Sequence, residues 1–404
     1  MKKFTLLVIL SIAFLNTLFA QEWIKFSAQI RPRFEVDNKD FRSSTLPNTY
    51  TLLRTRLGLS FVPVKNLSGL IQLQDSRTFG EETNTTSNIK NLDLHQAFFK
   101  IENIFDLPVD IKIGRMEVSY GSERFIGAVN WNNIGRSFDG GIATLHFENF
   151  SVDAFAMKEF EKSNPGDSLD QSIYGVNIDI GKMKNYKIQP FLIWQRESPT
   201  DYLSRFTLGT YLKGDLENFV HEIDAAYQFG KILASNKKQT VSSFIFTYSA
   251  SYSFDASTKP FVGAEVDYVS GDNNPFDDKY KSFASLYGTG HKFFGYMDYF
   301  VNFPNDTYGL GITDLVGKVG INPARQLKLN LNFHFFRANE NYRLIDGSAS
   351  KDFGTELDLT GNYKYNENVS FEGGASLFSP GKIFKERHGK DTATWFYLMS
   401  VINF

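Results

Sequence analysis

From Ile24 to the end of the chain, apolar and polar side chains take turns one residue at a time. Ile24, Phe26, Ala28, Ile30, Phe34 and Val36 share one parity, and Lys25, Ser27, Gln29, Arg31, Arg33, Glu35 and Asp37 share the other. Successive side chains of an extended chain point to opposite faces, so such a segment is a strand with one greasy face and one polar face. The pattern returns at 50–63, where Leu53, Leu57, Leu59 and Phe61 oppose Arg54, Arg56, Gly58 and Ser60. It returns again at 219–230 and 325–338, and along 241–254 the apolar stripe is mostly aromatic: Phe244, Phe246, Tyr248, Tyr252 and Phe254. No apolar run after Gln21 reaches the ~20 residues of a helical membrane span.

Period two fits a soluble sandwich as well as a membrane wall. The connections separate the two. Strands read at 24–37, 50–63, 66–77, 92–102, 108–116, 140–148, 150–159, 172–181, 186–196, 203–213, 219–230, 241–254, 259–269, 309–321, 325–338, 353–365, 368–378 and 392–404. After the even strands the gaps are short: 64–65, 149, 182–185, 214–218, 255–258, 322–324 and 366–367. After the odd ones they are usually long: 38–49, 78–91, 117–139, 160–171, 270–308, 339–352 and 379–391, with 197–202 the short exception. Outer-membrane barrels have short periplasmic turns, longer outside loops and an even strand number, so the expectation is an all-β, transmembrane, antiparallel up-and-down barrel of about 18 strands. Closure satisfies every backbone group in lipid without a helix. Trp395, Phe396, Tyr397 and the terminal Phe404 suit a last strand that pairs with the first.

Composition agrees. Forty Phe and nineteen Tyr accompany a mean hydropathy of only −0.27, as a wall with one aromatic face and one wet face requires. A net charge of −2 and the absence of a basic block exclude a nucleic-acid binder. There is no cysteine, hence no disulfide framework. Lys2 and Lys3 followed by apolar residues 4–15 and Ala20 read as a signal peptide over 1–20, leaving 21–404 as one barrel without linker or repeat.

Chemistry concentrates in arginine. Arg31, Arg33, Arg54 and Arg56 occupy the polar face of the first two strands, Arg77 ends the third, and Arg115, Arg124 and Arg136 lie in and near the third long gap. Guanidinium groups lining a low-dielectric lumen concentrate anions and match carboxylates in a bidentate fork. The plainer alternative is that each pairs with a lumenal carboxylate and braces the wall. Glu222, Asp224, Glu265, Asp267, Glu356, Asp358 and Glu372 fall on polar parities of the later strands, so a field across the lumen is an equal expectation. His95, His146, His221, His291, His334 and His388 are scattered and form no metal-ligand spacing. Asp272, Asn273, Asn274, Asp277 and Asp278 in loop 270–308 offer oxygen ligands of the kind calcium takes, though without EF-hand spacing, and a solvated loop tip is the simpler reading. No cofactor is otherwise expected.

The stretch Gly114-Arg115-Met116-Glu117-Val118-Ser119-Tyr120-Gly121-Ser122-Glu123-Arg124-Phe125-Ile126-Gly127, continued by Trp131-Asn132-Asn133-Ile134-Gly135-Arg136, resembles the GRxExxYGxxRxxG pattern of the alginate-export family of outer-membrane porins. Arg31-Pro32-Arg33-Phe34-Glu35, Leu53-Arg54-Thr55-Arg56, Gln74-Asp75-Ser76-Arg77, Tyr287-Gly288-Thr289-Gly290-His291 and Gly354-Thr355-Glu356 fit it too. The resemblance spans nearly the whole chain after the signal. It implies an eighteen-stranded monomer in the outer membrane of a Gram-negative bacterium. It also implies that the eight arginines named above line or frame an anion-selective pore. The expected function is therefore passive passage of anionic solutes, or of an anionic polysaccharide supplied by a periplasmic partner. Two other classes stay open: a structural or adhesive barrel with a plugged lumen, and a barrel hydrolase, which would need a Ser-His constellation that no local motif announces.

Overall fold

A computed structural model describes residues 23–87, 89–161, 170–181, 183–198, 203–234 and 237–404. The expected signal segment 1–20 and parts of the gaps at 160–171 and 197–202 lie outside the described residues. The first half of the chain forms β1 (Ile24–Asn38), β2 (Asn48–Val64), β3 (Leu67–Thr78), β4 (Leu92–Ile101), β5 (Val109–Met116), β6 (Phe138–His146), β7 (Ser151–Phe160), β8 (Asp170–Asp179), β9 (Tyr186–Ser198) and β10 (Leu203–Leu216). The second half forms β11 (Phe219–Ala234), β12 (Lys237–Ser253), β13 (Phe261–Val269), β14 (Lys279–Tyr280), β15 (Ile312–Ala324), β16 (Leu327–Arg343), β17 (Ala349–Lys364), β18 (Val369–Pro380) and β19 (Ala393–Asn403). One short helix, α1 (Lys382–Arg387), precedes the last strand.

Each strand pairs antiparallel with its neighbour in sequence, except that the two-residue β14 lies parallel to β12 and β13 passes directly to β15. The remaining eighteen strands close, because β19 pairs with β1 from Gln29↔Asn403 to Asn38↔Thr394. The terminal Phe404 donates its amide to Ala28 O at 2.9 Å, at the end of that seam.

Burial is inverted relative to a soluble domain. Gln228, Ser243 and Asp267 are each 0% exposed, while Phe26 and Leu57 on the opposite parity are 58% and 57% exposed. Polar groups face a filled interior and apolar groups face outward, which is stable only where the outside is lipid.

The gap at 231–240 is the main departure from the sequence reading. β11 and β12 continue through it, paired from Lys231↔Thr240 to Ala234↔Lys237. Their outward positions there are Lys231, Leu233, Lys238 and Thr240, so pairing continues where the outward stripe has become mostly polar.

The lumen is filled toward its long-loop end. Phe300, Phe336, Phe353 and Phe378 are each fully buried and Phe384 of α1 packs with them, with the Phe300 ring 4.8 Å from Phe336 and 5.2 Å from Phe353. A register shift at Phe336/Arg337 admits Phe353 to this cluster. Its neighbour Gly354, at φ 137°, has no room for a Cβ, which would stand 2.4 Å from Ser379 O.

Candidate functional site

The candidate site is the lumen, built from the strand pair that opens the barrel. Register places Arg31 opposite Arg54 and Arg56 opposite Gln29, all facing inward, with the three arginines nearly inaccessible. Two guanidinium groups directly across a ladder repel one another unless acceptors surround them. The acceptors are backbone carbonyls of the loop 117–137. Arg31 Nη2 donates to Trp131 O (3.1 Å) and Asn132 O (3.0 Å). Arg54 Nη1 donates to Asn130 O (3.1 Å) and Asn132 O (3.2 Å), and its other nitrogens hold Gln29. Arg33 donates to Trp131 O (2.6 Å) and to Glu35 (2.7 Å), with its guanidinium 4.0 Å above the Trp131 ring. Arg56 meets Glu117 (3.0 Å), Gln74 (2.6 Å) and His95 (2.8 Å). The Glu117 carboxyl, despite burial, lies below its ordinary range because His95 and Arg56 favour its charged form.

The same loop is anchored on the far wall. Arg124 reaches Asp224 of β11 (3.5 Å) and both Glu265 (3.2 Å) and Asp267 (3.1 Å) of β13, and it stacks on Phe293 at 3.9 Å. Burial works against its charge, but these three carboxylates outweigh burial and hold the guanidinium above its ordinary value. Between β1–β2 and β11–β13 lie about half the strands of the ring, so the loop crosses the lumen from wall to wall.

The loop between β13 and β15 packs against it. Ile126 and Tyr287 form a parallel bridge, with Tyr287 N to Phe125 O at 2.8 Å and Gly127 N to Tyr287 O at 2.9 Å. Arg136 donates to the carbonyls of Tyr287 and Gly288. Its guanidinium is held below its ordinary value by burial. Trp131 and His291 stack face to face, and Met297 N donates to Glu356 of β17 at 2.8 Å. The two loops enclose a cavity of about 360 Å³ whose lining includes Arg124, Arg136, Trp131, Asn132, His291 and Asp298.

The eight arginines of the sequence reading therefore separate. Arg31, Arg33, Arg54 and Arg56 are gathered on one wall, and Arg124 and Arg136 enter the lumen on the crossing loop. Arg77 and Arg115 depart from the expectation. Arg77 shares the outward parity of Ile71 and Leu73 and pairs with Asp75 (2.6 Å) and Glu82 (3.2 Å). Arg115 shares the parity of the outward-facing Ile113 and pairs with Asp139 at 2.6 Å. Both sit at the rim, where an outward charge meets water or headgroups rather than the pore. Sequence reasoning passed over Arg205, which alternation within β10 turns inward onto Gln195 (2.8 Å). It also passed over Trp131 and His291, for which only the tertiary structure supplies a role.

Among the described residues, Arg31, Arg54, Arg136 and Arg205 have no carboxylate within 4.0 Å. On the opposite wall Asp314 is held by His334 (2.7 Å), and Glu265 by Lys318 as well as Arg124. In the loop that holds the oxygens at 272–278, the Lys281 ammonium lies 3.0 Å from Asp277 and 3.2 Å from Asn273.

A model of the alginate export family matches residues 22–397. The chain belongs to the alginate export family. No curated protein matches its sequence. Solved structures share the fold. OccD3 (OpdP) of Pseudomonas aeruginosa is 13% identical, with a TM-score of 0.59 over 95% of this chain and 91% of that one. OpdK of Pseudomonas aeruginosa, crystallised with vanillate, is 10% identical, with a TM-score of 0.58 over 94% and 98%. A BenF-like porin from Pseudomonas fluorescens Pf-5 is 10% identical, with a TM-score of 0.59 over 95% and 98%. Family membership and barrel architecture together identify an integral outer-membrane protein of a Gram-negative bacterium, of porin type. The family and these neighbours are channels, not enzymes.

Proposed function

We propose that this family member passes small anionic solutes, carboxylates first among them, over Arg31, Arg54 and Arg136. One observation carries the reading: Arg31 and Arg54 are buried, Arg136 is half-buried, and all three hold only neutral partners. Their positive charge is therefore uncancelled locally and, inside a low-dielectric wall, attracts anions. On the acidic side of the lumen Glu265, Asp267 and Asp314 are engaged by Arg124, Lys318 and His334, while Glu356 and Glu372 hold only the neutral donors Met297 N and Tyr397. The cavity of about 360 Å³ lies within the range of small-ligand sites. A polymer would require the crossing loop to leave its anchors, so the small solute is favoured over a polysaccharide. Vanillate, present in a structural neighbour, carries one carboxylate and has a suitable size.

Reversal potentials of the purified protein in planar bilayers under a potassium chloride gradient test this. A potential of the anion-selective sign, and block of the current by benzoate, are the expected results. Cation selectivity would overturn the proposal and leave the barrel intact. The wall-to-wall span of the loop favours a second reading, a sealed barrel whose outer loops do the work. Inserted protein that passes no current would support that reading instead.

A further inference from the structure

The loop between β13 and β15 brings a titratable pair of its own into the cavity, beside Arg136. His291 Nδ1 lies 2.9 and 3.0 Å from the two carboxylate oxygens of Asp298. Both side chains line the cavity of about 360 Å³ that Arg136 also lines. Among the described residues, Asp298 has no lysine or arginine within 4.0 Å, and His291 has no second carboxylate within that distance.

The turn that presents Asp298 is held rigidly. Phe294, Gly295 and Asp298 have positive φ, at 58°, 84° and 60°. Left-handed backbone suits glycine and, among other residues, Asn and Asp best. Gly295 also lies too close to β17 for a side chain, since a Cβ would stand 2.6 Å from the Glu356 carboxyl. Met297 N donates to that carboxyl at 2.8 Å and ties the turn to the wall.

The imidazole is caged by rings. Trp131 stacks on it at 4.0 Å, Tyr296 at 5.2 Å, and Trp395 of β19 stands edge-on at 5.8 Å. Aromatic faces attract cations, so the cage accepts an imidazolium as well as a neutral ring. The charges around it are of both signs. Arg33 of β1 lies over Trp131, Lys39 over Trp395, and Arg124 and Arg136 enter on the crossing loop. Lys292 is turned away onto Ser122 O at 2.8 Å. Glu356 backs the turn, while Asp358 of β17, Glu372 of β18 and Glu265 of β13 act on Tyr296.

Histidine is the side chain that ordinarily changes charge between pH 5 and 8. With a neutral imidazole the pair carries one negative charge, and with an imidazolium it carries none. A carboxylate charge beside Arg136 offsets the guanidinium and weakens its pull on anions. We infer that His291 and Asp298 form a proton-controlled selectivity element, in which protonation of His291 cancels the Asp298 charge and raises the preference of the channel for anions. This element rests on anion passage over Arg136 and regulates that passage.

Reversal potentials of the purified protein in planar bilayers, under a potassium chloride gradient and in steps from pH 7.5 to 5.5, test it. The anion-to-cation permeability ratio is expected to rise at least ~twofold as pH falls. His291→Phe keeps a ring for the stack but takes no proton, so most of the rise should be lost and the ratio should stay near the wild-type value at pH 7.5. Asp298→Asn keeps an acceptor for Nδ1 and removes the charge. Its ratio at pH 7.5 should already stand at least ~twofold above wild type. Any remaining rise should move to lower pH, because no carboxylate favours the imidazolium. A pair that merely braced the loop would shift both variants in the same direction. Heat-modified gel mobility reports that each variant is a folded barrel, and His291→Gln replaces the Phe variant if that one does not fold.

A rise that persists without His291 would overturn the assignment and give the proton to another lumenal histidine, His95 or His334. Equal ratios in Asp298→Asn and wild type at pH 7.5 would overturn it too. An anion preference independent of pH in the wild type would defeat the element and leave anion passage intact. Cation preference at every pH, weakening on acidification only when His291 is present, would defeat anion passage and keep the element. A barrel that passes no current would defeat both.

Discussion

The indole of Trp131 lies flat on the imidazole of His291, centroids 4.0 Å apart and planes 7° from parallel. Arg33 covers one side of the pair at 4.0 Å from Trp131, and Tyr296 stands 5.2 Å from His291 on the other. This stack joins the wall of β1, the loop 117–137 and the loop between β13 and β15 into one layer. The two loops therefore move together or not at all.

Trp131→Ala should uncouple them. Losing a partly buried indole with its stacking and cation–π contacts costs roughly 3 kcal/mol of loop stability. Single-channel recordings should show a noisier and larger mean conductance than wild type. A quiet, unchanged channel would mean that the backbone bridge between Ile126 and Tyr287 suffices.

Removing Arg124 should be costly in a different way. Arg124→Ala leaves Asp224, Glu265 and Asp267 facing one another without their shared cation, a loss of about 3–5 kcal/mol. Arg115→Ala at the rim should cost at most about 1 kcal/mol, since its pair with Asp139 is partly exposed. Denaturant unfolding of both variants in micelles, followed by tryptophan fluorescence, compares them directly. Equal effects would refute the anchoring role of Arg124.

Arg31→Gln with Arg54→Gln keeps donors for the loop carbonyls and removes two uncompensated charges. The anion-to-cation permeability ratio should fall about threefold or more. An unchanged ratio would reduce this pair to bracing the loop.

A pH-dependent clasp sits at the outer mouth. His388 Nε2 and the Tyr308 hydroxyl are hydrogen-bonded at 2.6 Å, and in the neutral imidazole with its proton on Nδ1 the ring nitrogen is the acceptor. Burial, and then the neighbouring Arg387, hold the imidazole below its ordinary value. A base with a lowered folded pKa binds fewer protons when folded, so its contribution is complete above the unfolded value of about 6.5 and is lost as pH falls through the folded value. Hydrogen exchange at 381–389 should accelerate as pH is lowered from 7 to 5, beyond the intrinsic change. His388→Gln, which keeps an acceptor but cannot titrate in this range, should abolish the excess. A persisting excess in that variant would assign the effect elsewhere.

Much of the wall was legible because the information is local. Whether a residue faces lipid or lumen follows from its parity within one strand, so the strands, their closure and the inward set Arg31, Arg33, Arg54 and Arg56 could be read directly. Parity also marks Arg77 and Arg115 as outward, alongside Ile71 and Ile113. They entered the lumenal set through a family pattern and a nearby loop, and strict alternation would have removed them. The paired strand ends 231–234 and 237–240 were missed because the outward positions there are mostly polar and parity carries little hydrophobic signal.

By itself, then, the sequence determined a closed barrel, its orientation and a basic first wall, since repeated two-residue alternation and loop-length asymmetry admit little else in a membrane. Only the tertiary structure decided what that wall does. Arg31 meets carbonyls a hundred residues away, and Arg124 meets Asp267 at a separation of 143. Such contacts depend on where the ring closes and how two long loops pack inside it. No local period encodes them, because their stability comes from burying charge and aromatic rings against partners that the chain brings together only after the barrel has formed.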